Sequence, residues 1–400
     1  MPSAPAVSSL QAANPAIGTV ARAPQTTVAP VAPGAPFSRQ SEKAQQLGFA
    51  VSGVPFGGTV TQQLSAVGGY LRALSVTVTA SGGSGTTTAA VMAADAPWNV
   101  LGTVQFRDPT GQPLYQLDSF SLYLVNLASG QVGQSGRQNP SSWPSYVAPN
   151  TGGNFTLRLI VPLELDSSGY CSLADMNAAA QPLLNLSLAS AAQVFSTQPA
   201  PTLPTLAIQV NELFWTIPQA NPTIAPPDVG SSAQWNVVNG GQNPTTGANL
   251  RVQHPSPGTW IHTLILVLRD ATNARINAFP ATDLTLWVDN VPVVNAELLT
   301  ERQDALFRQF GIPFAVADQG TAAGNVKTAG VIVYTRRTAV QDEVSAADTH
   351  DLLLRTTPAT KLEVGGTWGT ITNSPAQLQF VTGWLYPANS DGIPYTHLAS

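Results

Sequence analysis

Side chains capable of catalysis are few and scattered in this sequence. Cys171 is the only cysteine, so the chain can form neither an internal disulfide nor a cluster of thiolate metal ligands. Its setting in the segment GYCSL, beside a predicted strand end, favours a structural thiol over a nucleophile. The sequence has no G-x-S-x-G nucleophile elbow and no glycine-rich loop with a P-loop lysine. We therefore predict no catalytic residue and no cofactor-binding residue.

The histidines and acidic residues do not have the spacing of a metal motif. His350, in the segment ADTHD, could supply nitrogen and oxygen ligands, and Glu164, Asp166 and Asp175 could contribute to a calcium site. A polar loop and a solvated strand end are the simpler interpretations, so we predict no metal and no cofactor. The four histidines are His254, His262, His350 and His397.

Aromatic and acidic residues leave two further binding chemistries to consider. Eight tryptophans are spread along the chain, a number sufficient for a carbohydrate-binding platform. Most lie at strand ends or beside proline, where core packing and subunit contact explain them more simply. Paired carboxylates for glycoside hydrolysis stay open, because such pairs form in space and not at a fixed sequence spacing.

Charged residues are rare in this chain. The 17 Lys and Arg and the 22 Asp and Glu make up 10% of 400 residues, where a soluble domain has roughly 25%. A net charge of −5 argues against a general nucleic-acid binder, and 33 prolines argue against a helical bundle. We find no apolar run of about 18 residues and no secretory signal, which predicts assembly in a reducing cytoplasm.

Short runs of alternating apolar and polar residues dominate the chain after residue 40 and predict β-strands. The residues between them have turn chemistry, as in Asp108–Gly111. The predicted strands include Leu74–Thr79, Val104–Arg107, Leu122–Val125, Phe155–Val161, Leu184–Leu188, Leu206–Val210, Trp260–Leu268, Leu284–Val288, Val331–Tyr334, Lys361–Val364 and Leu378–Val381.

One segment departs from this alternation. Asn295–Gly311 has Leu299, Leu306 and Phe310 at helical spacing, and its terminal asparagine and glycine are suited to cap a helix. The pattern predicts one amphipathic helix here. A weaker pattern predicts a helical turn at Ser172–Ala180.

The order of features is similar in the two halves of the chain. LSVTV matches LILVL, VQFRD matches LWVD, SLADMN matches SAADTH and LAIQVNELFW matches LQFVTGWLYP, at offsets between 172 and 190 residues. Four matches in one order predict two β domains of the same topology. About eight strands in each half fit a sandwich or jelly roll. Phe106–Asp108 and Trp287–Asp289 are then expected in equivalent places.

Two proline-rich segments predict the domain boundaries. Residues 1–40 contain seven prolines and only two charges, Arg22 and Arg39, which indicates an extended arm. A second proline-rich zone at 198–228 suits an inter-domain connection. The predicted division is an extended or disordered N-terminal arm over 1–44, a first domain over 45–216, a proline-rich linker over 217–233, a second domain over 234–390 and a C-terminal tail over 391–400.

Both halves together resemble a known family. In the first half, GYLRALSVTVTA precedes DAPWNVLGTVQFRDPTGQPLYQLDSFSLYLVNL; in the second, TWIHTLILVLRDA, LTLWVDNVPV, GVIVYTRR, DLLLRTTPATKLEVGGTWG and AQLQFVTGWLYP follow in order. This pattern over residues ~45–390 resembles the double jelly-roll major capsid proteins of tailless icosahedral double-stranded DNA viruses, above all bacteriophages of the tectivirus–adenovirus lineage. The resemblance implies an all-β fold with one or two short helices, in which two tandem eight-stranded jelly rolls (β-sandwiches) follow an extended N-terminal arm.

The same resemblance implies a structural function. Members of this family form homotrimers with a pseudo-hexagonal base, and these capsomers tile the shell of the virion after assembly in the host cytoplasm. The expected partners are neighbouring capsomers, minor capsid or vertex proteins and, for the arm, an internal membrane. No sequence-specific nucleic-acid binding is expected, since the arm has only two cations. The low charge count fits, because uncharged polar surface is desolvated more cheaply than charged surface.

Other functions remain open from the sequence alone. They are a coat protein of a different fold, a carbohydrate-binding β-sandwich protein and a β-rich hydrolase. The residues predicted to contribute to assembly lie on the arm and on the predicted helix; they are Arg22, Arg39, Asn295, Glu297, Arg302, Phe307 and Phe310.

Overall fold

Strands make up most of the chain in the computed structural model, which describes residues 36–129, 146–165, 169–219, 222–226, 232–257, 261–276, 284–298, 300–302, 304, 328, 330–335, 354, 356–357 and 359–386. No helix among these residues is long and apolar enough to cross a membrane. The elements in chain order are α1 (Phe37–Gln40), β1 (Lys43–Val54), β2 (Thr59–Gln63), β3 (Gly69–Ser81), β4 (Ser84–Thr88), β5 (Val91–Met92), β6 (Leu101–Arg107), β7 (Pro113–Leu117), α2 (Ser119–Ala128), β8 (Phe155–Pro162), β9 (Leu173–Asp175), β10 (Leu183–Leu188), α3 (Ala191–Val194), β11 (Phe195–Thr197), β12 (Ala200–Thr202), β13 (Thr205–Trp215), β14 (Ser232–Asn239), β15 (Asn249–Gln253), β16 (Ile261–Arg269), β17 (Leu284–Val288), β18 (Val291–Glu297), β19 (Val331–Thr335), β20 (Leu362–Thr367) and β21 (Gln377–Tyr386).

Eight main strands between β1 and β13 form the first jelly roll. One sheet has the order β1-β13-β3-β8, and the facing sheet has the order β2-β10-β6-β7. Counted along the chain, the first sheet holds strands one, eight, three and six, and the second holds strands two, seven, four and five. This interleaving is the jelly-roll order. The short strands β4, β5, β9, β11 and β12 are additions to it.

The remaining eight strands repeat the same order. β14-β21-β16-β19 form one sheet and β15-β20-β17-β18 form the other. The prediction of two tandem eight-stranded jelly rolls in an all-β chain is therefore confirmed. Phe106 and Arg107 end β6, Trp287 and Val288 end β17, and each of these strands is the fourth of its roll. The expected equivalence of the two segments is confirmed by this topology.

Alternating strands bury one face in each roll. In β3, Leu74, Val76 and Val78 are fully buried, while Thr77 and Thr79 lie on the opposite, partly exposed face. Strand β16 of the second roll differs, because every residue of Ile261–Arg269 is buried. Its two faces belong to two different apolar clusters, so the second roll has an outer sheet face that is covered as fully as its inner face.

The segment Leu122–Val125, predicted as a strand, lies in helix α2. All ten residues of α2 are buried, so the helix has no polar face. Its sequence therefore lacks the 3.6-residue alternation of apolar and polar residues by which a surface helix is recognised. Asp118 caps the helix, because its Oδ1 accepts a hydrogen bond from the Ser121 backbone N–H at 2.8 Å. The Asn126 side chain ties α2 to β8, since Nδ2 donates to the Ile160 carbonyl and Oδ1 accepts from the Ile160 N–H.

The predicted start of the amphipathic helix at Asn295–Gly311 is also wrong. Asn295 lies within β18, which forms a hairpin with β17. The two turn residues, Asp289 and Asn290, have φ angles of +50° and +66°, the conformation of a tight hairpin turn, and strand pairing then continues to Glu297. Helical backbone is found at 300–302 and 304, and the rest of the predicted helix lies outside the described residues.

The predicted helical turn at 172–180 is likewise a strand at its start. Leu173–Asp175 form β9, which pairs with the beginning of β3. Pairing with an existing strand edge satisfies the backbone groups that a single helical turn would leave open.

Removal of the α2 cap tests the role of this helix in the fold. We expect Asp118→Ala to lower the free energy of unfolding by about 1 kcal/mol, because the helix loses its N-cap acceptor. Urea unfolding monitored by circular dichroism measures the change. The matched control, Asp118→Ser, retains a capping oxygen and should remain within about 0.5 kcal/mol of the wild type. Equal losses in both variants would contradict the assigned cap.

Candidate functional site

The two rolls are joined by direct strand pairing. β7, at the edge of the first roll, pairs in parallel with β14, the first strand of the second roll, through Tyr115 with Trp235 and Gln116 with Asn236. This pairing creates one continuous eight-stranded sheet with the order β19-β16-β21-β14-β7-β6-β10-β2. The rolls therefore share backbone hydrogen bonds as well as side-chain contacts.

Buried aromatic side chains pack across this junction. The Tyr115 and Trp235 ring centroids are 6.5 Å apart, and Trp235 contacts His262 edge-on at 5.0 Å. Gly383 lies under both rings, because a Cβ atom at this position would meet the His262 ring at 2.4 Å and the Trp235 ring at 2.9 Å. Glycine is thus required on β21 for the close approach of these two side chains.

Apolar residues of both rolls belong to one contiguous cluster at the junction. It unites α2 and the first-roll core with the outer face of the second roll's sheet. This explains why α2 is buried on every side. The second-roll members of the cluster are Trp235, Ile265, Val267, Val331, Val333 and Val381.

A charged cluster lies beside this apolar junction. Arg269 Nη1 donates to Asp95 Oδ2 at 2.8 Å, and Arg275 Nε donates to Asp95 Oδ1 at 2.5 Å. Arg269 also donates to Gln379 Oε1 at 2.7 Å, and both guanidinium groups stack on the Phe120 ring of α2 at 5.4 and 4.9 Å. One carboxylate of the first roll thus holds two arginines of the second, in a site where the three side chains are 12%, 8% and 2% exposed.

A cleft of about 450 Å³ opens next to this cluster. Its lining includes Asp95 and Asp118 together with Arg269 and Arg275. Both carboxylates already have structural tasks, since one binds the two arginines and the other caps α2. Their contacts are those of a domain junction and do not resemble a paired acid and base.

A second cluster anchors the chain at the start of the first roll. The Phe37 ring of α1 packs edge-on against Tyr70 at 5.4 Å and Trp215 at 5.8 Å. The Trp215 indole N–H donates to Glu164 Oε2 at 3.0 Å, and Glu164 also pairs with Arg72. These contacts fix residues 36–41 against the first sheet, so the position from which the predicted arm departs is set by packing.

The residues considered for metal binding serve other purposes. Glu164 binds Arg72 and Trp215, while Asp175 accepts a hydrogen bond from the Val67 N–H at 3.1 Å. Fully buried His254 accepts at Nδ1 from the Ser256 N–H and lies 2.8 Å from Thr382 through Nε2, and burial lowers its pKa to about 4. The described residues contain no group of three or more potential ligands that could hold a metal ion. Asp166, His350 and His397 lie outside them.

Most of the described tryptophans are packing residues. Trp98, Trp215, Trp235 and Trp368 are at most 3% exposed. Trp98 stacks on Tyr123 of α2 at 4.4 Å. Side chains buried in this way cannot form a platform for sugar rings, which favours the packing interpretation for these four.

The structure separates the residues that were predicted to contribute to assembly. Arg39 is exposed on α1, and Asn295 is exposed on β18. Glu297 and Arg302 form an ion pair of 2.9 Å, and the Arg302 guanidinium stacks on the Tyr334 ring at 4.4 Å. Their role in assembly stays a prediction. Arg22, Phe307 and Phe310 lie outside the described residues.

Two strand edges carry exposed apolar residues that the sequence interpretation missed. Leu47 on β1 is 58% exposed, and Val291 and Val293 on β18 are 62% and 39% exposed. The described strands place β1 and β18 at the ends of their sheets. The turn signal Asp289–Asn290 followed by alternating valines could have revealed the β18 hairpin.

The carboxyl group of Glu212 lies inside the first roll. Glu212 of β13 is fully buried on the core-facing side, where Gln46 Nε2 donates to its Oε2 at 2.6 Å. Burial raises the pKa of Glu212 to about 7; the Gln46 hydrogen bond opposes this rise and the neighbouring Asp175 carboxylate adds to it. The first roll is thus stabilised when Glu212 is protonated.

Replacement of Glu212 tests this pH dependence. An unfolded glutamate titrates near 4.5 and the folded one near 7, so wild-type stability should be complete below about pH 4.5 and fall as the pH rises through 7. We expect Glu212→Gln to remove this loss and to raise the free energy of unfolding by up to about 3 kcal/mol at pH 8, with little change at pH 4. Urea unfolding across pH 4–8 measures it. Exposed Glu42→Gln is the control, and parallel profiles for all three proteins would contradict the assignment.

Replacement of Asp95 tests the charged junction. Asp95→Asn leaves two buried arginines without their carboxylate, and we expect the free energy of unfolding to fall by about 3 kcal/mol. Glu301→Gln removes one negative charge from an exposed position and should change stability by less than about 0.5 kcal/mol. If both variants unfold at the same urea concentration, the arginine pair does not hold the rolls together.

The chain is similar to known proteins in its fold and not in its sequence. No protein-family model matches the sequence, and no curated protein matches it. A crystal structure of the STIV MCP has a TM-score of 0.54 and 13% identity over 86% of this chain and 96% of that chain. A chain in the atomic structure of Sulfolobus Turreted Icosahedral Virus has a TM-score of 0.58 and 13% identity over 86% of this chain and 90% of that one.

A third solved structure gives the same result. PBCV-1 VP54, fitted into a reconstruction of the virophage Sputnik, has a TM-score of 0.55 and 11% identity over 86% of this chain and 93% of that chain. These proteins are double jelly-roll major capsid proteins. The chain shares their fold across both rolls and along nearly the whole length of each of them.

Proposed function

We propose that this chain is the major capsid protein of an icosahedral double-stranded DNA virus, and that its role is structural and not catalytic. The observation that carries the proposal is the side-by-side union of two rolls of identical topology through β7 and β14. The fold shared with capsid proteins of viral shells supports it. The virion shell is then the protein's location, with assembly in the host cytoplasm.

The duplication supports a trimeric capsomer. Three copies of a chain with two similar rolls present six similar units, and this number gives a pseudo-hexagonal outline that tiles a surface. The scarcity of charge agrees with this role, because interface cores are depleted in Lys, Glu and Asp. A shell protein meets neighbours on several sides and must have much of its surface desolvated.

The N-terminal arm is the proposed tether to other components. Phe37 and Trp215 fix the start of the roll from which it departs, and the arm has only two cations, Arg22 and Arg39. Neighbouring capsomers, minor capsid or vertex proteins and an internal membrane are its proposed partners. Two cations are too few to neutralise packaged nucleic acid, so sequence-specific nucleic-acid binding is not part of the proposal.

Light scattering on the purified full chain tests this function. We expect a particle with the mass of three 41.7-kDa chains and, at higher concentration or with the other virion components, closed shells visible by electron microscopy. A map of the capsomer should contain six jelly rolls around a threefold axis. A protein that stays monomeric at every concentration and binds glycans would contradict the proposal and favour the carbohydrate-binding alternative.

A further inference from the structure

The junction inside the chain joins two different edges. The fifth strand of the first roll, β7, lies beside the first strand of the second roll, β14. Because the contact uses unlike edges of two like units, it is heterologous, and a heterologous contact can be repeated from unit to unit until a ring closes.

The two counterparts of these edges lie at the ends of the described sheets. β1, the first strand of the first roll, corresponds to β14, and β18, the fifth strand of the second roll, corresponds to β7. Both expose apolar side chains, namely Leu47 on β1 and Val291 and Val293 on β18. A strand edge with exposed apolar residues favours pairing with another strand, and proteins normally cover or charge such edges.

The internal junction also predicts which residues of β1 and β18 would lie opposite each other if these two edges paired. The match of Leu206 with Leu378 aligns Asn211 with Gly383. Gly383 pairs with Trp235 across β21 and β14, and Asn211 pairs with Leu47 across β13 and β1. Leu47 thus holds the place of Trp235, the main aromatic residue of the internal junction.

The same reasoning locates the partner on β18. Tyr115 pairs with Phe106 in the first roll, and Pro292 pairs with Trp287 in the second. Since Phe106 and Trp287 occupy equivalent places, Pro292 holds the place of Tyr115. Gln116 pairs with Gln105 and Val294 pairs with Leu286, so Val294 holds the place of Gln116, and Val293 is the extra residue at the register shift between them. Proline has no N–H to donate, which limits this edge to a short ladder, much like the two residue pairs that join β7 and β14.

The elements that follow the two strands support the equivalence. Helix α2 begins two residues after β7 and covers the outer face of the next roll. Helical backbone is likewise found at position 300, three residues after the end of β18. The outer face of the first roll carries mainly uncharged polar residues such as Thr77, Thr79 and Gln209, which another protein can cover at low desolvation cost. The Arg158 side chain on this face is hydrogen-bonded to Ser75.

We propose that β18 of one copy lies beside β1 of the next copy, as β7 lies beside β14 within the chain, and that three such contacts close the capsomer ring. The occupant of both edges is a second copy of this chain. Leu47 and Pro292 form the centre of the contact, and the exposed Val291 and Val293 flank Pro292. This inference rests on the proposed capsid function and specifies which surfaces hold the trimer together.

Disulfide trapping in the full chain tests the contact directly. Neighbouring strands lie about 4.8 Å apart, within the Cα distance that a disulfide spans. The double variant with Leu47→Cys and Pro292→Cys joins the two positions that correspond to Trp235 and Tyr115, and it should form covalent dimers and trimers under mild oxidation, with no larger species, because a closed ring has no free ends. A second double variant, with Gln45→Cys and Pro292→Cys, covers a register shifted by two residues on the same face of β1.

Three controls make the trapping specific. Leu47→Cys alone and Pro292→Cys alone should give no covalent trimer, since unlike edges meet. The double variant with Leu47→Cys and Val147→Cys places the second thiol away from both edges. Val147 is 57% exposed and Leu47 is 58% exposed, and this pair should also give no covalent trimer. Native Cys171 is buried and stays in every variant.

Charge substitution gives a second readout. Val293→Lys should weaken trimer association roughly tenfold or more, because it places a charge in the core of the contact, while circular dichroism remains that of the wild type. Val147→Lys should leave the trimer intact. A stable trimer that neither double variant traps and that Val293→Lys does not weaken would overturn the edge contact but leave the capsid function standing. A chain that is monomeric throughout would overturn both.

Discussion

Two residue pairs, Tyr115 with Trp235 and Gln116 with Asn236, join the fifth strand of one jelly roll to the first strand of the next. Much of the remaining structure follows from this parallel ladder. It turns the outer face of the second roll toward the first, so that β16 is buried on both sides. The space between the rolls then requires an apolar filler, which is α2, and a charged clamp, which is Asp95 between Arg269 and Arg275.

The few charges in the chain are placed where elements meet. Arg72 with Glu164 secures the start of the first roll, the Asp95 cluster secures the junction, and Arg302 with Glu297 joins the residues after β18 to that strand. Partly buried ion pairs need partners on both sides to offset their desolvation, and each of these carboxylates has at least one. Low overall charge is thus compatible with specific electrostatic contacts and leaves few charges on the broad strand faces, such as Arg158 of β8.

Strands with one buried face were predictable from sequence, and the internal duplication predicted that the two rolls share a topology. Helix α2 was not, because a helix buried all round has no polar face to reveal its period, and Leu122–Val125 also fits a strand. Asn295 was misassigned because capping and hairpin pairing compete for the same residues, and pairing with β17 wins. The importance of the strand edges that carry Leu47 and Val293 could not be predicted from sequence. It follows from the topology, in which their counterparts β14 and β7 pair with each other.

The two rolls differ in how their outer faces are covered, and in the proposed capsomer this difference sets the order of folding and assembly. Ile265 and Val267 on the second roll are buried within the chain, so that junction forms on folding and can be apolar. The equivalent face of the first roll carries Thr77 and Thr79. In the proposed capsomer this face is exposed to water until another copy covers it. An apolar face there would aggregate before assembly. If the ring closes through β1 and β18, the permanent junction is therefore apolar and buried, and the reversible one is polar with a small apolar centre, as expected for subunits that fold before they associate.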